Sequence, residues 1–267
     1  MDSKQFPLIY VVYVHYGNEQ TVNRCKSDVR KISNSIHFIS VDTAEEGFSA
    51  NAAFEFSGYQ VGLLNVLAHS TSDFAKIIFL NDTVYSSHHR LFLDYTLNKM
   101  LTHETHGERL IGIESSWAPG ISDSTITYFP TFIFALQGGR SALSTFKFYD
   151  DEFDSDAWRD HWKNLPASYT QAINAWLQPS TFLHGWYKAN PYQLLPTDVL
   201  NRKQYTIYQE HTLPIRAQHS GFTRYDLGQV RSFKRTFSVL QKLDRLTNNL
   251  NKVIYRVIHL LKVRYAK

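Results

Sequence analysis

The sequence has little cysteine and no long apolar run. Cys25 is the one cysteine among 267 residues, so an internal disulfide is excluded and a reducing compartment is favoured. No stretch of apolar residues reaches the length that a bilayer-spanning helix needs. Residues 1–5 are polar and lack the charged and then apolar pattern of a secretory signal. We therefore expect a cytoplasmic protein.

Acidic residues are scarce at the end of the chain. Residues 231–267 contain ten Lys or Arg and one acid, Asp244, a net charge of +9, which leaves −5 for residues 1–230 within the total of +4. The apolar fraction of 43% and the charged fraction of 19% are those of a folded globular protein, so global disorder is excluded. The chain therefore divides into a mildly acidic domain, 1–230, and a basic tail, 231–267.

Short apolar runs alternate with helical patterns along the acidic domain. The apolar runs at 8–14 and 77–80 predict central strands, the latter buried on both faces, and two more strands are predicted at 36–41 and 109–113. A further strand, bent around Pro130, is predicted at 125–137. Helices are predicted at 21–32, 54–68, 91–101, 141–148 and 158–177, and loops at 85–90 and 115–124. The expected fold class is α/β, with a mostly parallel sheet flanked by helices.

Polar side chains follow the predicted strands. His15 follows the first strand, Asp42 the second, Asn81 and Asp82 the third, and Glu114 the fourth. Ligands of open α/β sheets bind outside these carboxyl ends, so these residues are candidates for binding a nucleotide, a phosphate or a metal. The alternative is that Asp42 and Asp82 only cap the helices that follow them.

Three further segments supply candidate residues. Gly58 and Gly62 lie one helical turn apart, where small residues allow close approach to a ligand or to a neighbouring strand. Five acids crowd into residues 150–156, usually a solvated loop, but also a source of a base such as Asp151. His184, followed four residues later by Lys188, suits a metal and diphosphate site, with a structural histidine as the alternative.

The order of these segments resembles a known family. The resemblance rests on FEFSGYQVGL at 54–63, IIFLNDT at 77–83, FIFALQGG at 132–139 and the Trp-rich helical stretch that follows. In this order they resemble bacterial glycosyltransferases with the GT-A fold, which assemble lipopolysaccharide O-antigen or capsule. The similarity spans residues 8–190.

The resemblance implies a nucleotide-sugar donor on the carboxyl edge of the sheet and a divalent metal, Mn²⁺ or Mg²⁺, on its diphosphate. Asp82 matches the last acid of the family's Asp-x-Asp motif, but Leu80 stands where the first acid is expected. The metal is then bound loosely, or His184 supplies the missing ligand, or the metal is absent and Lys188 or arginines neutralise the diphosphate instead. His184, Gly185 and Lys188 also resemble the His-Gly-x-x-Lys element near the end of some retaining GT-A enzymes, in which the histidine binds metal and the lysine binds phosphate. The candidate donor-binding residues are His15, Asp42, Gly58, Tyr59, Asn81 and Lys188.

The expected activity is transfer of a hexose, with UDP-galactose as the representative donor, to a growing lipid-linked glycan. Inverting relatives need a carboxylate base near the acceptor hydroxyl, for which Glu114, Asp123 and the acidic run 150–156, with Asp151, are candidates that match no motif. Whether the anomeric centre is inverted or retained stays open at this point. The alternative is a catalytically silent glycosyltransferase-like subunit that scaffolds a polysaccharide-synthesis complex.

Residues 231–267 contain no Gly or Pro, and their apolar residues recur every three or four positions with Lys and Arg at the flanks. This pattern predicts one basic amphipathic helix, which suits an anionic membrane surface. Pairing with a second copy or with a partner glycosyltransferase is the main alternative. Nucleic acid is not expected, because the acidic domain offers no matching groove. The expected location is the inner face of the bacterial plasma membrane, as a peripheral protein.

Overall fold

The computed structural model describes residues 8–44, 55–117, 126–149, 153–179, 185–186 and 194–265, with the backbone alone at 86, 87, 248, 252 and 255–265. Within these ranges the strands are β1 (Leu8–His15), β2 (His37–Asp42), β3 (Phe74–Asn81), β4 (Arg109–Gly112), β5 (Ser115–Trp117), β6 (Ile126–Tyr128), β7 (Ile133–Gly139) and β8 (Thr223–Asp226). The α-helices are α1 (Glu19–Ile32), α2 (Glu55–His69), α3 (Thr83–Ser87), α4 (Arg90–Thr102), α5 (Arg140–Thr145), α6 (Ser155–Asn164), α7 (Ala167–Leu177), α8 (Thr197–His219) and α9 (Lys234–Tyr265).

Six of these strands form a mostly parallel sheet in the order β2-β1-β3-β7-β4-β8. β1 pairs in parallel with β2 and β3, and β4 pairs in parallel with β8. β7 is antiparallel to both of its neighbours, β3 and β4. The carboxyl ends of β1 to β4 therefore meet at one edge of the sheet, together with the start of β7. β5 and β6 form a separate two-stranded sheet.

Helices cover both faces of the six-stranded sheet, because its central strands are apolar on both sides. One core contains Val12, Phe79 and Phe134 of the sheet with residues of α2, α5, α6, α7 and α8. The other core contains Val11 and Ile78 with residues of α1, α3, α4 and α9. The predicted fold class, α/β with helices on a mostly parallel sheet, is confirmed.

The two glycines of α2 allow this helix to pack very close to β1. A Cβ atom on Gly58 would lie 2.4 Å from Cγ1 of Val14, and one on Gly62 would lie 2.2 Å from Cγ1 of Val12. Carbon atoms in van der Waals contact are about 3.5–4.0 Å apart, so neither position has room for a side chain. Close packing against a strand, one of the two predicted roles, is therefore the role that these contacts support.

Two predicted elements are wrong because a proline divides each of them. The strand expected at 125–137 is two strands in different sheets, β6 and β7, with Pro130 between them, because proline has no N–H to donate to a sheet. The helix expected at 158–177 is two helices, α6 and α7, separated at Pro166, because the residue before proline avoids the helical conformation.

Two predicted loops contain regular structure. The segment 85–90 includes the end of α3 and the first residue of α4. The segment 115–124 begins with β5, and residues 118–125 lie outside the described residues.

The helices expected at 21–32, 54–68 and 91–101 are confirmed as α1, α2 and α4. None of the helices in the described ranges is both long and apolar enough to cross a membrane.

Candidate functional site

Polar residues from three parallel strands meet at the carboxyl edge of the sheet. In the strand register, His15 lies opposite Asp42, and Val14 lies opposite Asn81. Asp82 directly follows Asn81 and holds the N-cap position of α3. The structure therefore brings the predicted residues His15, Asp42, Asn81 and Asp82 to one edge, because the ends of neighbouring parallel strands are adjacent.

Asp42 is held in its ionised form by the backbone around it. Its Oδ1 accepts hydrogen bonds from the N–H groups of Gly17, at 2.9 Å, and Ala44, at 2.8 Å. Burial alone would raise the pKa of Asp42, but these bonds and nearby His15 hold the pKa below the usual aspartate value. Its Oδ2 lies 3.8 Å from Nδ1 of buried His15. A negative charge is therefore fixed at the end of β2.

A polar cavity of about 560 Å³, which we call the β2 cavity, adjoins Asp42. Among the described residues its lining is His15, Glu19, Val22, Asn23, Ser40, Val41, Asp42 and Asn65. Its volume lies within the range of small-molecule sites, roughly 300–1,000 Å³. Because an ionised carboxylate accepts hydrogen bonds from hydroxyl or amine groups, the β2 cavity suits a polar ligand such as a ribose or a base.

A second carboxylate, Glu210, reaches the same edge from α8. Its Oε1 accepts two hydrogen bonds from Thr131, one from the backbone N–H at 2.8 Å and one from the hydroxyl at 3.1 Å. Burial raises the pKa of Glu210 to about 7; the Thr131 bonds oppose this shift, and the charge of Glu55 adds to it. Glu210 therefore changes its protonation state near neutral pH, which is the property of an effective general base.

Glu55 and Lys203 complete the charged surroundings of Glu210. Glu55 lies in the first turn of α2, where burial raises its pKa, Lys203 lowers it, and the charge of Asp82 raises it further. Lys203 also acts electrostatically on Glu210. We call Glu55, Asp82, Lys203 and Glu210 the charged cluster. It brings three carboxylates and one ammonium from α2, the end of β3 and α8 to the carboxyl edge of the sheet.

An aromatic cavity of about 420 Å³ opens beside Glu210. Its described lining is Thr83, His88, Phe92, Ile113, Ser115, Tyr128, Pro130, Phe132, Ile133, Trp176, Trp186, Glu210, Gln241, Asp244 and Arg245. Aromatic rings beside a few polar groups are typical of sites that bind the apolar face of a small ligand and hydrogen-bond its edge. The aromatic cavity therefore suits a sugar ring.

The glycine of the predicted His-Gly-x-x-Lys element positions one of these aromatic rings. Gly185 has φ of +81°, and a Cβ there would lie 2.4 Å from the carbonyl oxygen of Trp176. The N–H of Trp186 donates to that same oxygen at 2.7 Å. The ring of Trp186 lies 5.3 Å from Nζ of Lys203. Gly185 is therefore required for the turn that links two tryptophans of the aromatic cavity to the charged cluster.

The other predicted residues divide into three groups. Gly58 packs against β1, and Tyr59 is fully buried and donates a hydrogen bond from its hydroxyl to the carbonyl of Thr131 at 2.6 Å, so both have structural contacts. Glu114 lies just beyond β4 and forms an ion pair with Arg224. The residues that lie outside the described ranges are Asp151, His184 and Lys188.

The predicted metal site is only partly within the described residues. Asp82 is described and His184 is not. The described residues contain no group of three or more His, Cys, Asp or Glu side chains that could hold a metal ion. Binding of Mn²⁺ or Mg²⁺ stays a prediction.

Sequence reasoning did not assign functional roles to Glu55, Lys203 and Glu210. Glu210 lies next to buried residues of α8, among them Gln209 and Leu213. The sequence signal that could have identified Glu210 is therefore an acidic residue among the inward-facing positions of a helix. Its partner Thr131 is 79 residues away, and no local pattern predicts that contact.

Comparison of the chain with protein-family models, with curated proteins and with solved structures finds no match.

Proposed function

We propose that this protein is a glycosyltransferase that moves a hexose from a nucleotide-sugar donor to a growing bacterial surface polysaccharide. The observation that carries the proposal is Glu210, a carboxylate with a pKa of about 7 in the wall of the aromatic cavity. The finer fold assignment, a GT-A-like sheet, belongs to the same proposal, and the mostly parallel sheet with helices on both faces is compatible with it.

The donor nucleotide is assigned to the β2 cavity. Asp42 is ionised there and accepts hydrogen bonds, as the recognition of ribose hydroxyls or base amines requires. β3 lies on the other side of β1 from β2, so Asp82 and the charged cluster follow next along the sheet edge. The sugar of the donor is then directed towards the aromatic cavity, which adjoins the far side of β3.

The acceptor sugar is assigned to the aromatic cavity, where Glu210 acts as the general base. Its carboxylate takes the proton of the acceptor hydroxyl while that oxygen forms a bond to the anomeric carbon of the donor. The bond between this carbon and the diphosphate breaks, and the nucleoside diphosphate leaves with the electron pair. Lys203 acts electrostatically on Glu210 and on Glu55, and it offsets part of the negative charge of the cluster. Such a direct displacement inverts the anomeric centre.

Donor binding is tested first with purified protein, by thermal shift against nucleoside diphosphates and their hexose conjugates, with and without Mn²⁺ or Mg²⁺. A nucleotide at a hundred times its dissociation constant stabilises the fold by about 2.7 kcal/mol, which is visible as a raised melting temperature. Asp42→Asn should weaken this binding, because a hydrogen bond to a charged group contributes about 1.5–3 kcal/mol. Asp160→Asn, at an exposed position of α6, is the matched control.

Transfer is tested with the donor so identified and glycolipid acceptors extracted from bacterial membranes. Glu210→Gln should keep donor binding and lower turnover about 10²–10⁴-fold, the typical contribution of a general base. Unchanged turnover in Glu210→Gln would exclude Glu210 as the base. A protein that binds no nucleotide would instead be the catalytically silent scaffold, the alternative that Leu80 at the first position of the metal motif favours.

A further inference from the structure

The first half of α9 is firmly attached to the globular domain. Phe237 is buried in the core on the α4 side of the sheet, with its ring centroid 5.0 Å from that of Tyr95. Further along the helix, Asp244 is buried and accepts hydrogen bonds from Nδ1 of His88 at 3.0 Å and from the N–H of His89 at 2.6 Å. These contacts hold one face of α9 against the domain as far as Asp244.

A different face of α9 exposes aliphatic side chains to solvent. Leu246 is 68% exposed, Leu250 58%, Val253 43% and Ile254 48%, in a helix whose earlier residue Val239 is also exposed. The spacings between Val239, Leu246, Leu250 and Val253 are seven, four and three residues, which place these side chains on one side of an α-helix. We call this side, including Ile254, the aliphatic face of α9.

The charged residues of the segment 231–267 are almost all basic. Ten Lys or Arg and one acid lie between residues 231 and 267. That acid, Asp244, is buried and hydrogen-bonded to the α3–α4 connection, so it is not part of the exposed surface. Lys242 and Arg245 are exposed on the same stretch of helix. The described surface of α9 around residues 239–254 therefore combines exposed apolar side chains with exposed Lys242 and Arg245.

We propose that the aliphatic face of α9 binds an anionic lipid surface, with the helix lying parallel to the membrane plane. Aliphatic side chains enter the boundary of the acyl chains while Lys and Arg contact the anionic headgroups. A second copy of the chain is a poor occupant, because helix pairing would bring two strongly positive surfaces together without acidic residues to pair them. This inference does not rest on the proposed sugar transfer.

Lipid binding also determines where the aromatic cavity lies. Gln241, Asp244 and Arg245 of α9 line this cavity, so the helix that binds lipid also forms part of its wall. Buried Asp244 faces the domain and the aliphatic face lies on a different side of α9, so a membrane-bound α9 holds the aromatic cavity about one helix diameter, roughly 10 Å, from the bilayer. For a lipid-linked acceptor, this consequence rests on the proposed function.

The experiment is co-sedimentation of the 267-residue chain with vesicles of phosphatidylcholine alone or of equimolar phosphatidylcholine and phosphatidylglycerol. We expect binding to the anionic vesicles only, and release at high salt because added ions screen the headgroup attraction. Lys242→Gln should lower the partition constant about fivefold, the contribution typical of one cation near an anionic surface. The double variant Leu246→Glu/Leu250→Glu should abolish sedimentation.

The matched control is Leu64→Glu, which introduces the same change at a leucine of α2 that is 54% exposed. It should bind anionic vesicles like the unchanged protein. Circular dichroism and the melting temperature verify that every variant is folded. Equal binding to neutral vesicles, or full binding by Leu246→Glu/Leu250→Glu, would overturn the proposal. A dimer in light scattering that the same double variant converts to a monomer would also overturn it and assign the aliphatic face to helix pairing. Vesicle binding needs no donor or acceptor, so its outcome is independent of the glycosyltransferase test.

Discussion

Gly62 offers the most direct test of how α2 packs on the sheet. A Cβ atom in Gly62→Ala would lie 2.2 Å from Cγ1, 3.2 Å from Cγ2 and 3.3 Å from Cβ of Val12. Val12 cannot withdraw easily, because β1 is held between β2 and β3 and Val12 pairs with Ile39 and Phe79 in the register. The variant must therefore move α2 outward or distort the central strand.

The expected loss of stability follows from two opposing effects. Overpacking of a close-packed core costs about 1–3 kcal/mol. Replacing a helical glycine by alanine stabilises the fold by about 0.5–1 kcal/mol, because an unfolded chain with alanine loses less conformational entropy on folding than one with glycine. Since the approach is far shorter than a normal contact and involves a central strand, we expect a net loss of about 2 kcal/mol in the free energy of unfolding. Equilibrium urea denaturation measures this loss.

A double-mutant cycle identifies the cause. Val12→Ala removes both Cγ atoms, so Gly62→Ala should cost about 1–2 kcal/mol less in that background than in the unchanged protein. Gly139→Ala is the comparison without overpacking, because its Cβ would meet no atom closer than 3.6 Å. Gly139 is the N-cap of α5, where alanine is disfavoured, so we expect a loss of about 1 kcal/mol that is the same with and without Val12→Ala. If Gly62→Ala keeps full stability but loses nucleotide binding, the glycine serves a ligand and the packing argument is refuted.

Two further predictions use buried ionisable groups. The pKa of Glu210 is raised to about 7 from 4.5, so the contribution of Glu210 to stability is complete below pH 4.5 and is lost as the pH rises to about 7. Urea denaturation at pH values between 4.5 and 7 should therefore show that Glu210→Gln gains stability relative to the unchanged protein as the pH rises. A difference in stability that stays constant with pH would contradict the raised pKa. Cys25 is buried, and burial raises the pKa of its thiol to about 12. Iodoacetamide should therefore leave Cys25 unmodified in the folded protein and alkylate it in urea, as measured by mass spectrometry. Rapid alkylation without urea would show that the α1 side of the core opens readily.

Local pattern was sufficient to predict the parallel part of the fold. The apolar runs of β1, β3 and β4 indicate strands because these strands are largely buried, and the run of β2 indicates a strand although β2 is a partly exposed edge strand. The polar residues after β1 to β4 lie at one edge because parallel strands end together. The sequence alone therefore places His15, Asp42, Asn81 and Asp82 at that edge. The same local pattern failed at Pro130 and Pro166, where hydrophobic periodicity continues across a residue that cannot continue a strand or a helix.

Tertiary structure alone decided the composition of the site. Thr131 and Glu210 are 79 residues apart, and the hydrogen bonds between them arise only after β7 inserts antiparallel between β3 and β4 and α8 packs beside it. Burial then raises the pKa of Glu210, which no sequence pattern encodes because a pKa depends on surroundings contributed by distant segments. The basic amphipathic character of the tail could be read from the sequence, since it needs only helical spacing and charge. Which of its faces binds the domain, and which stays exposed, was decided by the burial of Phe237 and Asp244, because such contacts join elements that are far apart in the chain.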